Sequence, residues 1–243
     1  MKKSLFTIRE NQSIAKGIYS MVLEGDTNAI QKPGQFLNIA LDGFTLRRPF
    51  SVCDWDESAL TILYKTIGAG TRYMTTLKSG QPLDILTGLG NGYDMEPAGN
   101  APLLIGGGAG IPPLYGLAKR LIRPGVSPHV ILGFRTKEEV FYLDAFQNLG
   151  VRVTVCTQDG SMGTHGLVTD AIGEKTQSYL YTCGPDGMLR AVYARTALDG
   201  QFSFEERMAC GFGACMGCSC MTKYGSKRIC KEGPVLRREE IVW

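Results

Sequence analysis

The chain has 243 residues, of which 44% are hydrophobic and 20% are charged, and its formal net charge is +3 at pH 7. This composition is that of an ordinary globular protein, and so small a net charge gives no sign of a nucleic-acid partner. No run approaches the ~18 apolar residues of a transmembrane helix, and the N-terminus turns polar before an apolar signal segment develops. Eight cysteines without a secretion signal predict a reducing, cytoplasmic location and metal binding rather than disulfides.

Residues 1–98 are predicted to form a small antiparallel β-barrel. Short runs rich in β-branched and aromatic side chains alternate with glycine and proline, as at Pro33-Gly34 and Gly80. Many short strands within about a hundred residues are typical of such a barrel. The predicted strands are 6–14, 18–25, 35–41, 47–55, 59–67 and 81–89.

Two motifs in this segment predict a bound dinucleotide such as FAD. In Arg47-Arg48-Pro49-Phe50-Ser51, a cation, a rigid proline, an aromatic ring and a hydroxyl follow one another. An arginine can bind a pyrophosphate, an aromatic ring can cover a flat ligand and a hydroxyl can bond a ring nitrogen, although ordinary edge strands also carry such strings. The second motif, Gly68-Ala69-Gly70-Thr71, precedes a helix predicted at 72–78, and the N-terminus of a helix favours an anion.

Residues 99–203 are predicted to form a parallel, doubly wound α/β domain, because strands and helices alternate along them. An apolar strand at 101–105 leads into a glycine-rich turn and then into a helix that starts at the prolines, where proline is tolerated. The further predicted strands are 129–134, 151–157 and 178–184, and the further predicted helices are 138–149 and 166–173.

The glycine-rich turn, with Gly107, Gly108 and Gly110, is the candidate site for NAD(H). The fingerprint G-x-G-x-x-G is incomplete, because Ile111 stands at its third glycine, and no acid follows the second strand at Phe134.

A second strand end in this domain, Cys183-Gly184-Pro185, is predicted to reach the same carboxyl edge of the sheet, where ligands bind. A plain strand-to-helix turn would have a similar sequence. Cys156 and Cys183 are expected to be core residues rather than catalytic thiols. No partner acid or metal motif accompanies either histidine, so neither is given a role.

The last segment, 204–243, contains the most specific motif of the chain. Cys210, Cys215 and Cys218 follow the spacing C-x4-C-x2-C, and Cys230 comes later. This is the ligand spacing of a plant-type [2Fe–2S] cluster, in which four thiolates hold two irons. Glycines 211, 213 and 217 can take the backbone conformations that such a loop requires. The alternatives are a zinc site, which usually has two separated C-x2-C pairs, and structural thiols.

Five cysteines lie in this stretch, and a cluster needs four. Cys220 falls outside the C-x4-C-x2-C frame and is predicted to be a small buried hydrophobe instead. The assignment of Cys230 as the fourth ligand depends on that exclusion.

The order of these motifs resembles the ferredoxin–NADP reductase superfamily. The tail EERMACGFGACMGCSC…RICKEGPVL is similar to the electron-transfer subunits of the NAD-dependent (class 1B) dihydroorotate dehydrogenases. The resemblance covers nearly the whole chain. It implies an FAD-binding barrel over 1–98, an NAD-binding domain over 99–203 and a small [2Fe–2S] domain over 204–243.

Carried over residue by residue, the resemblance assigns cofactor contacts to specific positions. Arg48, Pro49, Phe50 and Ser51 match the flavin motif, and Cys210, Cys215, Cys218 and Cys230 match the cluster ligands. The remaining matches are a strand that lies against the flavin (Leu63, Tyr64, Lys65) and a pyrophosphate loop (Gly70, Thr71). The aromatic residue that ends other members of the superfamily and closes over the flavin cannot be placed, because this chain continues into the cluster segment.

NAD(H), FAD and a [2Fe–2S] cluster in one chain predict an exchange between two-electron and one-electron transfer. The sequence shows no convincing acid–base pair for an organic substrate. The chain is therefore expected to be one half of an enzyme. The resemblance implies an FMN-bearing catalytic partner that oxidises dihydroorotate in pyrimidine biosynthesis, with NAD+ as acceptor, in a heterotetramer of two of each subunit. The alternatives are the small subunit of an NADH-dependent ferredoxin:NADP or sulfide oxidoreductase and a non-catalytic iron–sulfur redox sensor.

Overall fold

The computed structural model of the protein describes residues 1–173 and 176–243. Its first part is a closed antiparallel barrel of six strands in the order β1-β2-β5-β4-β3-β6. The strands are β1 (Lys2–Ala15), β2 (Ile18–Glu24), β3 (Phe36–Ile39), β4 (Arg48–Trp55), β5 (Ala59–Lys65) and β6 (Pro82–Leu89). A short helix, α1 (Ala69–Met74), connects β5 to β6. The predicted antiparallel barrel is confirmed.

Alternating side chains explain why these residues close into a barrel. In β1, Phe6 and Ile8 are fully buried while Leu5 is exposed, and in β2, Met21 and Leu23 are fully buried. Period-two alternation directs one face of each strand to the interior, which is filled by a single apolar core.

The second part is a sheet of seven strands in the order β10-β9-β8-β7-β11-β12-β15, in which all pairs are parallel except β12 with β15. Helices α2 and α3 contribute to the apolar cluster on one face, and α4 contributes to the cluster on the other. This doubly wound arrangement confirms the predicted class. The elements are β7 (Leu103–Gly107), α2 (Ile111–Leu121), β8 (His129–Phe134), α3 (Leu143–Asn148), β9 (Arg152–Thr157), β10 (Thr164–His165), β11 (Leu180–Cys183), α4 (Asp186–Arg195), β12 (Gly200–Ser203), β13 (Ser219–Thr222), β14 (Gly225–Arg228) and β15 (Val235–Arg237).

Two of the predicted helices were too long. Tyr142 takes a left-handed conformation, with φ of 61°, so the helix predicted at 138–149 begins only at Leu143. Within 166–173 the chain forms only a 3-10 turn, Val168–Ala171, because the carboxylate of Asp170 accepts the N–H of Leu167 at 2.7 Å and closes a tight turn. Among the residues that the structure describes, no helix is long and apolar enough to cross a membrane.

The last forty residues are not packed as a separate body. The hairpin of β13 and β14 stands beside the cysteine loop, while β15 adds an antiparallel strand to the edge of the sheet at β12. Trp243 packs edge-on against Tyr193, with ring centroids 5.0 Å apart. Ile229, Cys218 and Cys230 belong to the same buried cluster as the sheet residue Ile105, so this segment shares the core of the α/β part.

Helix α2 joins the sheet to the barrel. A Cβ atom on Gly116 would lie 2.5 Å from the carbonyl oxygen of Cys53, so only glycine lets α2 approach β4 this closely. The guanidinium of Arg120 lies 3.4 Å above the ring of Trp55, and Lys119 pairs with Asp54 at 2.6 Å. The helix that follows the glycine-rich turn is therefore fixed directly against the strand that carries the predicted flavin motif.

Candidate cofactor sites

The cysteine loop owes its shape to three left-handed residues. Gly211 and Gly213 have φ values of 77° and 92°, as the glycine spacing predicted. The third left-handed position is Met216, with φ of 61°, rather than Gly217. These turns bring the thiols of the loop towards one another.

The four predicted ligands form two pairs. The thiol sulfur of Cys210 accepts the backbone N–H of Cys215 at 3.5 Å, and the thiol sulfur of Cys218 accepts the backbone N–H of Cys230 at 3.3 Å. The guanidinium of Arg228, two residues before Cys230, donates to the carbonyl oxygen of Gly213 at 2.7 Å and so ties the two pairs to one loop. A two-iron cluster needs this arrangement of two thiolates for each iron.

The two pairs differ in their surroundings. Burial by itself would raise the pKa of Cys210, but hydrogen bonds from the backbone N–H groups of Phe212, Cys215 and Ala214 outweigh burial and lower the pKa to about 6. Burial and the contact with Cys218 raise the pKa of Cys230 to about 12. Cys210, in the more exposed outer pair with Cys215, therefore gives up its proton more readily than Cys230, in the buried inner pair with Cys218.

The pairing also bears on the alternatives for this loop. Within 1–173 and 176–243, no three His, Cys, Asp or Glu side chains converge as ligands of a single metal ion. A structural zinc site would hold four ligands around one ion, whereas a two-iron cluster takes two thiolates on each iron. Cys220 belongs to neither pair: it lies on β13 opposite Lys227, and burial raises the pKa of its thiol.

The predicted flavin motif brings Arg48 against the first turn of α1, which begins at Ala69 and therefore includes Gly70 and Thr71, earlier than the helix predicted at 72–78. A Cβ atom on Gly70 would lie 2.7 Å from Nε of Arg48, and the guanidinium carbon lies 5.1 Å above the ring of Phe44. Arg47 has a different role, since its guanidinium pairs with Asp84 at 2.8 Å inside the barrel wall. Arg48 is thus the arginine whose charge faces the glycine loop.

Thr71 organises that same loop. Its hydroxyl oxygen accepts the N–H of Ile67 at 2.9 Å and of Gly68 at 3.2 Å. These bonds fix the backbone at the start of α1, so Thr71 shapes the loop through its side chain. Gly70 is buried beside Arg48, where any larger residue would displace the guanidinium.

The other residues matched to the flavin do not all face the same way. The ring of Phe50 lies 5.9 Å from that of Tyr64, whose hydroxyl donates to Asn11 at 2.9 Å and whose pKa is raised by burial. Leu63 points instead into the apolar cluster shared with the α/β sheet. The structure therefore brings Phe50 and Tyr64 together and separates Leu63 from them.

Lys65 and the β1–β2 turn meet the α/β part through ion pairs. Lys65 lies 3.3 Å from Glu139, and Lys16 lies 2.6 Å from Glu138. Neither contact is predicted from the sequence. The two glutamates follow β8 closely, and acids at the carboxyl end of a parallel strand are the signal that would have singled them out.

Lys16 and the two glutamates border a cleft of about 250 Å³ between the barrel and the carboxyl ends of β8 and β9. Asp159, which follows β9, accepts hydrogen bonds from the N–H and hydroxyl of Ser161, and these bonds lower its pKa. The cleft is lined by Lys16, Arg135, Thr136, Lys137, Glu138, Glu139, Asp159 and Ser161.

The two predicted strand-end turns of the α/β part lie side by side. Strands β7 and β11 pair in parallel, with Cys183 opposite Gly106, so both turns leave the same edge of the sheet. A Cβ atom on Gly110 would overlap the carbonyl of Cys183 and lie 2.5 Å from the nitrogen of Gly184. The side chain of Met188 packs against both turns: a Cβ atom added to Gly107 would lie 2.5 Å from its Sδ, and one added to Gly184 would lie 2.5 Å from its Cε.

The thiol of Cys183 does not face this edge. It is buried, near Tyr93 and Ser203, and burial raises its pKa to about 12. A neutral, enclosed thiol is no nucleophile, as expected of a core residue. The backbone of Cys183-Gly184 is what meets the glycine-rich turn.

We expect Gly110→Ala to separate the two turns, because the new methyl group would collide with the backbone of Cys183. The predicted cost is about 1–3 kcal/mol of stability, as for other overpacked sites, together with a higher KM for NADH. Thermal unfolding and NADH oxidation with an artificial acceptor would measure both. Gly187→Ala in α4 is the matched control, since its Cβ would meet no atom within 4 Å. An unchanged KM in Gly110→Ala would contradict the role of this contact.

Two family models match the chain. One is described as the iron–sulfur cluster binding domain of dihydroorotate dehydrogenase B and matches residues 205–242. The other is described as an oxidoreductase NAD-binding domain and matches residues 104–194. The first match contains all four paired cysteines, and the second contains the glycine-rich turn.

Similar proteins extend over the full chain. The dihydroorotate dehydrogenase B (NAD(+)) electron transfer subunit of Fusobacterium nucleatum subsp. nucleatum is 42% identical over 258 aligned positions, covering 99% of both chains. The subunit of that name from Bacillus mycoides is also 42% identical, covering 100% of this chain and 99% of the relative.

Solved structures agree on the fold. A chain from the structure of an NADH-dependent reduced ferredoxin-NADP oxidoreductase, studied for flavin-based electron bifurcation, superposes with a TM-score of 0.89. It is 29% identical and the match covers 99% of this chain and 90% of that one. A ferredoxin NADP+ reductase from Neisseria gonorrhoeae shares the fold, with a TM-score of 0.68, 15% identity, and coverage of 80% of this chain and 90% of that one.

Proposed function

We propose that this chain, which belongs to the family of dihydroorotate dehydrogenase B (NAD+) electron transfer subunits, carries electrons between NAD(H) and a catalytic partner subunit through FAD and a [2Fe–2S] cluster. One observation supports this most directly: the three candidate sites form an unbroken series. The helix after the nucleotide turn packs on β4, and β3, the neighbour of β4, touches the cysteine loop.

When bound, the flavin takes two electrons from NADH as a hydride and releases them singly, and the cluster carries one electron at a time. The chain's own residues hold these carriers. Arg48 and the Gly70-Thr71 loop would hold the pyrophosphate of FAD, with Pro49, Phe50, Ser51 and Tyr64 around its ring. In this proposal Leu63 and Lys65 support the strand from the side of the α/β part, because their side chains face it.

The nicotinamide nucleotide is assigned to the edge formed by the glycine-rich turn and Cys183-Gly184-Pro185. Gly107, Gly108 and Gly110 allow the backbone to approach a pyrophosphate at the start of α2. The cleft beside Asp159 continues from this edge and would receive the sugar at the adenosine end, since a carboxylate can accept hydrogen bonds from ribose hydroxyls.

Cys210 and Cys215 are proposed to hold one iron, and Cys218 and Cys230 the other. The surface around them suits a protein partner, because large apolar side chains are exposed on the loop and the adjoining hairpin: Phe212, Met216, Met221 and Tyr224. We propose that an FMN-bearing dihydroorotate dehydrogenase subunit docks here. The stoichiometry of two of each subunit, the cytoplasmic location and the segment boundaries at 98 and 203 stay predictions.

The function is tested by what the purified protein contains and does. We expect flavin and two irons per chain, and anaerobic NADH should bleach the flavin and then give the electron paramagnetic resonance (EPR) signal of a reduced cluster. The partner that co-purifies separates the main proposal from its nearest alternative: the small subunit of a bifurcating oxidoreductase would arrive with a large flavoprotein that carries further clusters. If freshly purified protein contained no flavin and no iron, the proposal would be refuted.

We expect Arg48→Ala to retain FAD less well, because it removes a charge-assisted contact with the pyrophosphate worth roughly 1.5–3 kcal/mol. Flavin content after extensive dialysis, measured by absorbance, checks this. Arg9→Ala is the control, since Arg9 lies on the same barrel in an exposed pair with Glu24, 3.6 Å away. Equal flavin retention in the two variants would contradict the placement.

A further inference from the structure

Strand β3 of the barrel contacts both the flavin-motif strand and the cysteine loop. It pairs with β4 in a register that sets Phe36 opposite Ser51 and Asn38 opposite Pro49. Alternate residues of a strand lie on one face, so Phe36 and Asn38 point the same way. Leu37 lies between them and points into the barrel core.

The cysteine segment covers this outer face of β3. Phe36 belongs to the buried apolar cluster that contains Cys218 and Cys230, the inner thiol pair. Asn38 meets the outer pair, since its side-chain amide donates a hydrogen bond to the carbonyl of Cys210 at 3.3 Å. Asn38 thus contacts the cysteine loop directly, while Phe36 shares a buried cluster with the inner thiols.

The fit between Asn38 and the loop is close. A Cβ atom on Gly211 would overlap the amide nitrogen of Asn38, so only glycine at that left-handed position allows the contact. The side chain of Asn38 is almost fully buried, at 1% exposure. Its Oδ1 has no hydrogen-bond partner among the described residues. A buried acceptor without a partner destabilises a fold, so this asparagine is a poor stabiliser of the barrel.

We propose that Asn38 is a positioning residue for electron transfer, which holds the backbone of Cys210 against the strand next to the flavin motif. The inference rests on the function proposed above. In the step concerned, the reduced flavin loses one electron and the [2Fe–2S] cluster gains it, and no bond to carbon is made or broken. Asn38 sets the separation of the flavin and the cluster through two contacts. On the cluster side it donates a hydrogen bond to the backbone of Cys210, and on the flavin side it lies opposite Pro49 across the strand pair.

The test compares two variants at this position in the holoprotein. Asn38→Leu has nearly the same volume and removes the donor, and Asn38→Ala removes it without steric demand. After rapid mixing with NADH, flavin bleaching should proceed at the wild-type rate, whereas the EPR signal of the reduced cluster should appear about tenfold more slowly, since small misplacements of reacting groups cost large factors in rate. Flavin and iron contents should stay at the wild-type level.

Hydrogen exchange supplies a second readout that does not depend on catalysis. Both Asn38 variants should exchange faster at residues 209–214, where the loop loses its contact with the barrel. Asn91→Ala is the matched control, because Asn91 also ties the cysteine segment to the rest of the chain, but through Glu232 and Val235, after the last predicted ligand, and not through the loop at Cys210. That variant should loosen 232–237 and leave the rate of cluster reduction unchanged.

Three results would overturn the inference. The first is cluster reduction at the wild-type rate in both fully loaded Asn38 variants. The second is an equal slowing by Asn91→Ala, which would make general attachment of the segment the cause. The third is loss of iron in both Asn38 variants, which would show that Asn38 is needed to retain the cluster and not to position it for electron transfer. A wild-type protein whose flavin is not bleached by NADH would instead refute the proposed function, and this inference with it.

Discussion

Cys215→Ser is expected to abolish cluster assembly, taking iron from two atoms per chain to near zero and removing the visible absorption of the cluster. Four thiolates shared by two irons leave no spare ligand, so the loss of Cys215 would leave one iron with a single cysteine ligand. Because a metal site of this kind contributes its binding free energy to folding, the loop should also lose its order. Iron analysis and hydrogen exchange of the loop measure the two effects.

The structure limits how far that disorder spreads. All four predicted ligands lie within residues 205–233, whereas β15 and Trp243 are held by β12 and by Tyr193. We therefore expect faster exchange up to about residue 233 and protection beyond it. Cys220→Ser is the matched control, since Cys220 belongs to neither pair and should keep full iron. Iron at the wild-type level in Cys215→Ser, or none in Cys220→Ser, would show that the ligands are assigned wrongly.

Much of the fold could be predicted because the strand signals are local. β8 has the bounds expected from the sequence, and the other predicted strands overlap those observed, since β-branched runs between glycines fix both type and length. The helices were less predictable. The left-handed conformation of Tyr142 delays the start of α3 to Leu143, and a tyrosine gives no sequence signal for that conformation.

The pairing of side chains across the molecule was beyond sequence reasoning. Lys65 was expected beside a flavin because it follows a matched strand, but its ammonium group lies against Glu139, which is 74 positions away in the chain. The pairing of β15 with the sheet was also unpredictable. This strand has only three residues, too few to show a strand periodicity in the sequence, and it joins a sheet that starts at residue 103. Such contacts depend on tertiary packing, whereas the cysteine spacing reports a ligand set directly.

The division of labour leads to the second large effect. Alone, the loaded chain should oxidise NADH with an artificial acceptor but should not turn over dihydroorotate, because the sequence predicts electron carriers and no acid–base pair for an organic substrate. Adding the catalytic partner should give dihydroorotate-dependent NAD+ reduction. With Cys215→Ser in place of the wild-type chain, that rate should fall by at least about a hundredfold, since carriers held apart lose the advantage of proximity.

The reason lies in the positions of the sites. The flavin motif is on β4, whose neighbour β3 contacts the cysteine loop, and exposed apolar side chains lie on that loop and the adjoining hairpin. In the proposed arrangement an electron from the partner's FMN crosses the loop before it reaches the FAD. The decisive mixture contains Cys215→Ser and the partner, after chromatography has shown that the complex still forms and flavin analysis that FAD is retained. Transfer at the wild-type rate in that mixture would mean that the cluster is not the relay, and the electron path proposed for this chain would be wrong.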